Sequence, residues 1–277
     1  MRLGGPVFVE FEDPDGWIRA LKAEGYRAGT CPVGHDASAE LIRAYRNAAD
    51  AHDIVIAEVG AWSNPISPDE RTRKAAVEHC KQQLELAERI GARCCVNIAG
   101  SRGEQWDGPH PDNFSEETFE LIVDTVREII DAVNPQRTFY ALETMPWAFP
   151  DSADTYVALI KAINRKAFAV HLDPVNMISS PRIYYRNGEM IKDFFAKLGP
   201  FIRTCHAKDI RLSGQLTVRL EETVPGTGEL NYAVYLRELS RLDPDIPLII
   251  EHLDDADQYR RAAGYIRQVA ASLDISL

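Results

Sequence analysis

The sequence predicts an α/β protein, a (β/α)8 barrel in a single domain, and three observations predict it. Short β-rich runs alternate with longer segments of helical period, the pattern of parallel strands joined by crossover helices. Candidate strands and candidate helices each number eight along the 277 residues, a length that suits one barrel of about 250 residues. Four polar residues, Glu143, Asp173, His206 and Glu251, each close an apolar run and follow one another at intervals of 30, 33 and 45 residues. An open doubly wound sheet shares the alternation, but its Gly-rich first turn is missing, since Gly4-Gly5-Pro6 is no dinucleotide fingerprint. No linker or charge block divides the chain, so residues 1–277 are expected to form one unit.

The first candidate strand, residues 3–7 (LGGPV), is the weakest; residues 26–30 (YRAGT), 54–58 (IVIAE) and 94–98 (CCVNI) follow. Residues 138–143 (TFYALE), 168–173 (FAVHLD), 202–206 (IRTCH) and 248–251 (LIIE) complete the set. Helical segments fit residues 14–24 and 38–52. The next reads as a capping box, with Ser67 as N-cap, Pro68 at N1 and Glu70 at N3. It carries an apolar stripe of Val77, Cys80, Leu84 and Ala87 and stops at Gly91. A fourth begins near Ser115 and repeats apolar residues at Phe119, Ile122, Val126, Ile129 and Val133. The last four fit residues 152–163, 189–198, 232–241 and 256–272, and a polar stretch from 211 to 231 accounts for the longest interval.

Bulk properties exclude several function classes. A formal net charge of −11 and a pI near 5.2 repel phosphate backbones and anionic lipid, so nucleic acid and membrane are not expected partners. The amino terminus lacks a basic stretch followed by an apolar one, and no run of about 18 apolar residues occurs; the expected location is cytoplasmic. Five cysteines, Cys31, Cys80, Cys94, Cys95 and Cys205, show no CxxC spacing and an odd count, which reads as reduced, buried thiols.

Every strand of a closed parallel barrel ends at one rim, so Glu143, Asp173, His206 and Glu251 are expected to converge there as ligands of a divalent metal. Three oxygen donors, one nitrogen and no thiolate favour manganese, magnesium or cobalt, with zinc compatible. Strand alternation places Asp173 above His171 and Glu251 above Ile249. Glu58 and Asn97 close the third and fourth strands and are candidates for binding sugar hydroxyls; Lys208, on the same face as His206, is a candidate for stabilising a substrate oxygen. Trp62, Trp106 and Trp147 lie on rim loops, where an indole can cover the apolar face of a sugar. His110 and Arg182 are further candidates from longer loops.

The motifs LETMPW around Glu143, VHLDPVN around Asp173, CHAKDI around His206 and IIEHL around Glu251, together with AEVGAWSNP and NIAGSRG, resemble the xylose isomerase-like barrels. That group includes ketose 3-epimerases, hydroxypyruvate isomerases, inosose dehydratases and endonuclease IV. The resemblance implies a metal site with manganese commonest, a homo-oligomer, and Glu143 and Glu251 as an acid/base pair on opposite faces of a sugar. The implied activity is a metal-dependent sugar isomerase or epimerase that moves a proton next to a carbonyl through an enediolate. The alternative is a metal-dependent dehydratase or lyase of a keto sugar or inosose, including elimination from a 3-keto-glycoside. Two departures narrow this. Asn176 stands where ketose 3-epimerases carry a histidine, and an amide does not shuttle protons at neutral pH, which disfavours free ketohexoses and leaves Asn176 as a substrate-binding candidate. The early rims EVGAW and NIAGS lack the extra histidines of endonuclease IV.

Overall fold

The computed structural model describes residues 1–277. The chain runs β1 (Arg2–Gly4), α1 (Pro14–Ala23), β2 (Ala28–Gly29), α2 (Ala39–Ala51), β3 (Val55–Ile56), β4 (Glu58–Gly60), α3 (Glu70–Ile90), β5 (Cys94–Asn97), α4 (Glu116–Val133) and β6 (Tyr140–Glu143). It continues α5 (Ala153–Ile163), β7 (Phe168–Leu172), α6 (Pro181–Tyr185), α7 (Asn187–Leu198), β8 (Ile202–Ala207), β9 (Asp209–Ser213), β10 (Arg219–Thr223), α8 (Tyr232–Leu239), β11 (Pro247–Ile250) and α9 (Ala256–Ser272).

Nine parallel strands run in the order β3-β2-β1-β11-β8-β7-β6-β5-β4. The two ends of that order are halves of one stave, because β3 and β4 are separated by Ala57 alone. β3 pairs with β2 and β4 with β5, while Ala57 N–H donates to Gly29 O (2.8 Å) and Ala57 O accepts from Cys94 N–H (3.3 Å). The sheet therefore closes into a barrel of eight staves with helices outside, and the third candidate strand is one stave broken at its middle. Side chains at this seam are mostly small: Ala28 and Ala57 pack with Ile249 in their own buried cluster, and a Cβ on Gly4 would lie 2.4 Å from Ala28 O. The first strand ends at Gly4 instead of reaching Val7, as Pro6 has no N–H for the ladder.

Packing of the helices on the barrel makes one apolar cluster of 62 buried residues. The stripes expected from periodicity supply it, with Val77, Cys80, Leu84 and Ala87 from α3 and Ile122, Val126 and Ile129 from α4 all buried. Capping differs from expectation at α3. Asp69, not Ser67, is the N-cap, accepting from Thr72 N–H at 2.7 Å, while Ser67 Oγ accepts from Asp69 N–H one turn earlier. Gly91 does end α3 in the left-handed region (φ 82°). A reciprocal capping box occurs instead at α5, between Ser152 and Thr155.

Three elements lie outside the eightfold pattern. α6 precedes α7, and β9 and β10 pair into an antiparallel hairpin that rises beyond β8 over the carboxyl-end rim. No helix is long and apolar enough to cross a membrane. All five cysteines are free, four of them buried; burial pushes the half-buried Cys31 thiol up to about 11, which keeps it from being a reactive thiolate.

Candidate active site

Strand ends set the site. Glu143 is the last residue of β6, Asp173 follows β7, His206 sits in β8, and Glu251 follows β11. Parallel register places Glu143 beside His171 and His206 beside Ile249, and alternation then turns Asp173 and Lys208 inward one level higher. The four expected ligands do converge: one donor atom from each of Glu143, Asp173, His206 and Glu251 lies within 4.8 Å of the others.

His206 Nδ1 is 2.7 Å from Glu251 Oε1, 3.2 Å from Glu143 Oε1 and 3.9 Å from Asp173 Oδ2. Its other nitrogen, Nε2, faces Glu58 Oε1 at 3.4 Å. Asp173 Oδ1 accepts from Val175 N–H (2.9 Å), which aims Oδ2 at the centre. Lys208 Nζ lies 2.7 Å from Asp173 Oδ2, 3.0 Å from Glu222 Oε1 and 3.4 Å from Glu251 Oε1, and donates to Asn176 Oδ1 at 2.9 Å. Asn176 Nδ2 in turn donates to Glu143 Oε1 (3.1 Å). The amide thus bridges Lys208 and Glu143.

Electrostatics divide the two glutamates. Burial raises Glu143 to about 7, against the opposing pull of His206. Burial also works against ionisation of Glu251, but His206, Lys208 and His252 outweigh it and hold this carboxyl well below the usual range. His206 is the mirror case, where burial disfavours the cation but Glu251, Glu143 and Glu58 together push its pKa well up. His171, deeper in the barrel, is held neutral by burial, with the His206 charge adding to the effect.

The residues present fit a divalent cation. Three carboxylates, Glu143, Asp173 and Glu251, share two cationic partners, with Asp173 Oδ2 2.7 Å from Lys208 Nζ and Glu251 Oε1 2.7 Å from His206 Nδ1. Such a surplus of largely buried negative charge is costly unless a further cation serves it. Carboxylates and imidazole without thiolate suit a hard or borderline ion. With Nδ1 as the ligand atom, the Nε2 proton of His206 points to Glu58, the arrangement that fixes a ligating imidazole.

The other expected site residues divide into two groups. Trp62, Trp147, Asn176 and Lys208 line a pocket of about 890 Å³ above the four candidate ligands, and Trp106 lines it too. Asn97 does not: its buried amide accepts from Ser63 N–H (3.2 Å) and donates to Ser63 O (3.3 Å), so it anchors the loop that carries Trp62. His110 accepts from Asp112 N–H (3.3 Å) and caps a short turn away from the pocket. Glu58 is beneath the floor between two histidines, 3.5 Å from His171 Nδ1, with no face toward the pocket. Arg182, in α6, does not line it either.

Three residues escaped sequence reasoning. His171 had a signal, because it is two positions before Asp173 on the inward face of the same strand. Glu222 and His252 had none that a single sequence offers. Glu222 arrives on the hairpin, where its carboxylate meets both Lys208 and His252 Nδ1 (3.0 Å each). A left-handed backbone at His252 (φ 58°) turns that ring back toward the hairpin.

Residues 18–269 match the family described as the xylose isomerase-like TIM barrel. This chain belongs to that family. Solved structures of similar fold include a D-psicose 3-epimerase with D-tagatose from Clostridium cellulolyticum H10, at 16% identity, TM-score 0.71 and full coverage of both chains. A probable 3-DHS dehydratase from Bacillus anthracis is 16% identical with TM-score 0.70, covering 97% of this chain and 98% of that one. A xylose isomerase-like TIM barrel protein from Mycobacterium smegmatis, in complex with magnesium, is 17% identical with TM-score 0.66, covering 94% and 90%. At these identities the likeness is one of fold. No protein of curated function matches this chain. Xylose isomerase-like barrels of this kind are mostly enzymes, among them sugar epimerases.

Proposed function

We propose that this xylose isomerase-like barrel is a divalent-metal-dependent isomerase or epimerase of a keto sugar or sugar derivative, acting by proton transfer next to the carbonyl. The observation that carries the reading is the convergence of Glu143, Asp173, His206 and Glu251 at the floor of a pocket large enough for a sugar. A divalent cation, manganese in the first instance, supplies Lewis acidity toward the substrate's oxygens when bound. The remaining work belongs to the chain.

Glu251 and Glu143, facing the pocket from the ends of β11 and β6, are the two carboxylates placed to take the weakly acidic C–H proton from one face and return one to the other. Lys208, kept charged by Asp173 and Glu251 against the cost of burial, faces the negative charge that develops on the enediolate oxygen. Trp62, Trp106 and Trp147 exclude water from the exchanging proton.

Substrate recovered from heavy water is expected to carry carbon-bound deuterium, with exchange abolished by EDTA and restored by manganese. Glu143→Gln and Glu251→Gln should each lower the exchange rate by about 10²–10⁴-fold. Interconversion without deuterium uptake would sink the proton-transfer mechanism.

One observation favours a second reading, a dehydratase or lyase built on the same first step. Asn176 holds Glu143 and Lys208 together and carries no exchangeable acid of its own, so proton return to the second face rests on Glu143 alone. If a group β to the carbonyl leaves instead, the product loses its mass, which mass spectrometry reads directly.

A further inference from the structure

The pocket is larger and more apolar than its polar floor requires. Its volume of about 890 Å³ is near the top of the range of about 300–1,000 Å³ found for cavities that enclose drug-sized ligands. Glu143, Glu251, Lys208 and Asn176 occupy only the bottom. Above them the walls are Ile98, Met145, Val175, Ile178, Ile210 and Leu220. At the mouth stand Trp62, Trp106 and Trp147, which remain 44%, 39% and 37% exposed. Trp147 is nonetheless fixed in place, for Nε1–H donates to Asp107 O (2.6 Å) and its carbonyl accepts from Asn113 Nδ2 (3.0 Å). Three indoles around one opening, with their faces unburied, make a surface for a flat or weakly polar ring.

The pocket above the metal floor offers a phosphate no free cationic partner. Asp107, Glu143, Glu222 and Glu251 line it, and no arginine does. Its cations are Lys208 and His252, and both are already engaged by carboxylates. A cradle of converging amides does exist beside the hairpin, but the Asp209 carboxylate fills it. Asp209 accepts from Ile210 (2.8 Å), Gly226 (2.9 Å), Gly228 (3.0 Å) and Leu230 (2.9 Å) N–H. A phosphoryl group in the upper pocket would meet Asp107 and Glu222 with no arginine and no unengaged lysine to pair with.

We propose that the substrate is an uncharged glycoside, with the reacting keto-sugar ring on the floor and a second ring against Trp62, Trp106 and Trp147. This deepens the isomerase reading and rests on it for the reacting ring. The anomeric carbon of a glycoside is locked as an acetal. The carbonyl next to the exchanged proton is therefore a ring carbon, and the reaction that supplies this substrate is the two-electron oxidation of a secondary ring alcohol by another enzyme.

Calorimetric titration of the manganese-loaded chain with methyl β-D-glucopyranoside, 4-nitrophenyl β-D-glucopyranoside and glucose 6-phosphate tests the proposal, since none of the three carries a ring ketone to turn over. The aryl glycoside is expected to bind about tenfold tighter than the methyl glycoside, and glucose 6-phosphate no tighter than the methyl glycoside. Trp106→Ala and Trp147→Ala, checked by unchanged circular dichroism, should each reduce the aryl advantage severalfold. An aryl glycoside that binds no better than the methyl one, whether both bind or neither does, overturns the proposal. So does a preference for glucose 6-phosphate, or an aryl advantage that survives in both variants. Deuterium exchange reads the isomerase chemistry separately: a chain that exchanges free keto sugars as fast as keto glycosides keeps that chemistry and loses the second ring.

Discussion

Glu58 shows how a single residue changes meaning between sequence and structure. Read as a strand-end carboxylate, it was a candidate for binding substrate; in the barrel it lies under the floor, receiving His206 Nε2 on one oxygen and facing His171 on the other. Its carboxylate holds the imidazole so that Nδ1 faces Glu143, Asp173 and Glu251. Glu58→Gln should weaken manganese binding by about 10–100-fold, measured by calorimetry, while the pocket above stays intact; unchanged affinity would show that His206 needs no such support. Protons compete with the metal at the same residues. Glu143 is raised to about 7 by burial and His206 is raised by its carboxylates, so without the ion both hold protons on the acid side of neutrality. Metal affinity should therefore increase with pH between about 6 and 8, with proton release on binding. Calorimetry in buffers of different ionisation enthalpy would expose a pH-independent affinity.

Among the elements, the start of β6 depends on a residue from α3. Glu88 accepts N–H groups from Gln136 (3.2 Å), Arg137 (3.0 Å) and Thr138 (3.1 Å), and pairs with the Arg137 guanidinium at 3.0 Å. Burial opposes ionisation of Glu88, but these donors outweigh it and hold its pKa below the ordinary 4.5. A carboxylate with a depressed pKa stabilises fully above its unfolded value and loses that contribution as pH falls through the folded one. Glu88→Ala should cost about 1–3 kcal/mol in urea unfolding at pH 7, and the gap from the parent should narrow below about pH 4. A gap that is constant from pH 7 to pH 3 would contradict this. The hairpin β9–β10 makes the opposite point. Its residues between 211 and 231 carry no periodic pattern in the sequence, yet the pairing of β9 with β10 brings Leu220 and Glu222 to the pocket, where Glu222 meets Lys208 and His252.

For the whole molecule, the candidate ligands sit on four neighbouring staves, β6, β7, β8 and β11, so an ion bound there ties the second half of the barrel together. Manganese at 100 times its dissociation constant should raise the unfolding free energy by about 2.7 kcal/mol, seen as a higher Tm that EDTA reverses; an unchanged Tm would mean that the carboxylates do not hold the ion. The eightfold alternation, the helical stripes and the polar strand ends were legible in the sequence, because period, capping and rim position are written locally in residues such as Ser115, Gly91 and Glu143. Legible too was the convergence of Glu143, Asp173, His206 and Glu251, since a barrel leaves one rim for all its strand ends. The break at Ala57, the cap at Asp69 and the closing of the rim by a hairpin were not. The break and the hairpin depend on which backbone groups find partners across a sheet, and the cap on which of two neighbouring side chains reaches the free N–H groups of α3. Asn97 at a strand end and His110 on a long loop were misplaced for a related reason: only the folded chain decides whether a polar side chain meets substrate or satisfies its neighbours' amides. The sequence by itself determined the barrel and the chemistry gathered at its rim, as these follow from local pattern; the tertiary structure alone decided which polar groups are spent on holding loops and which remain free to act, because that allocation is made by contacts between residues the chain keeps far apart.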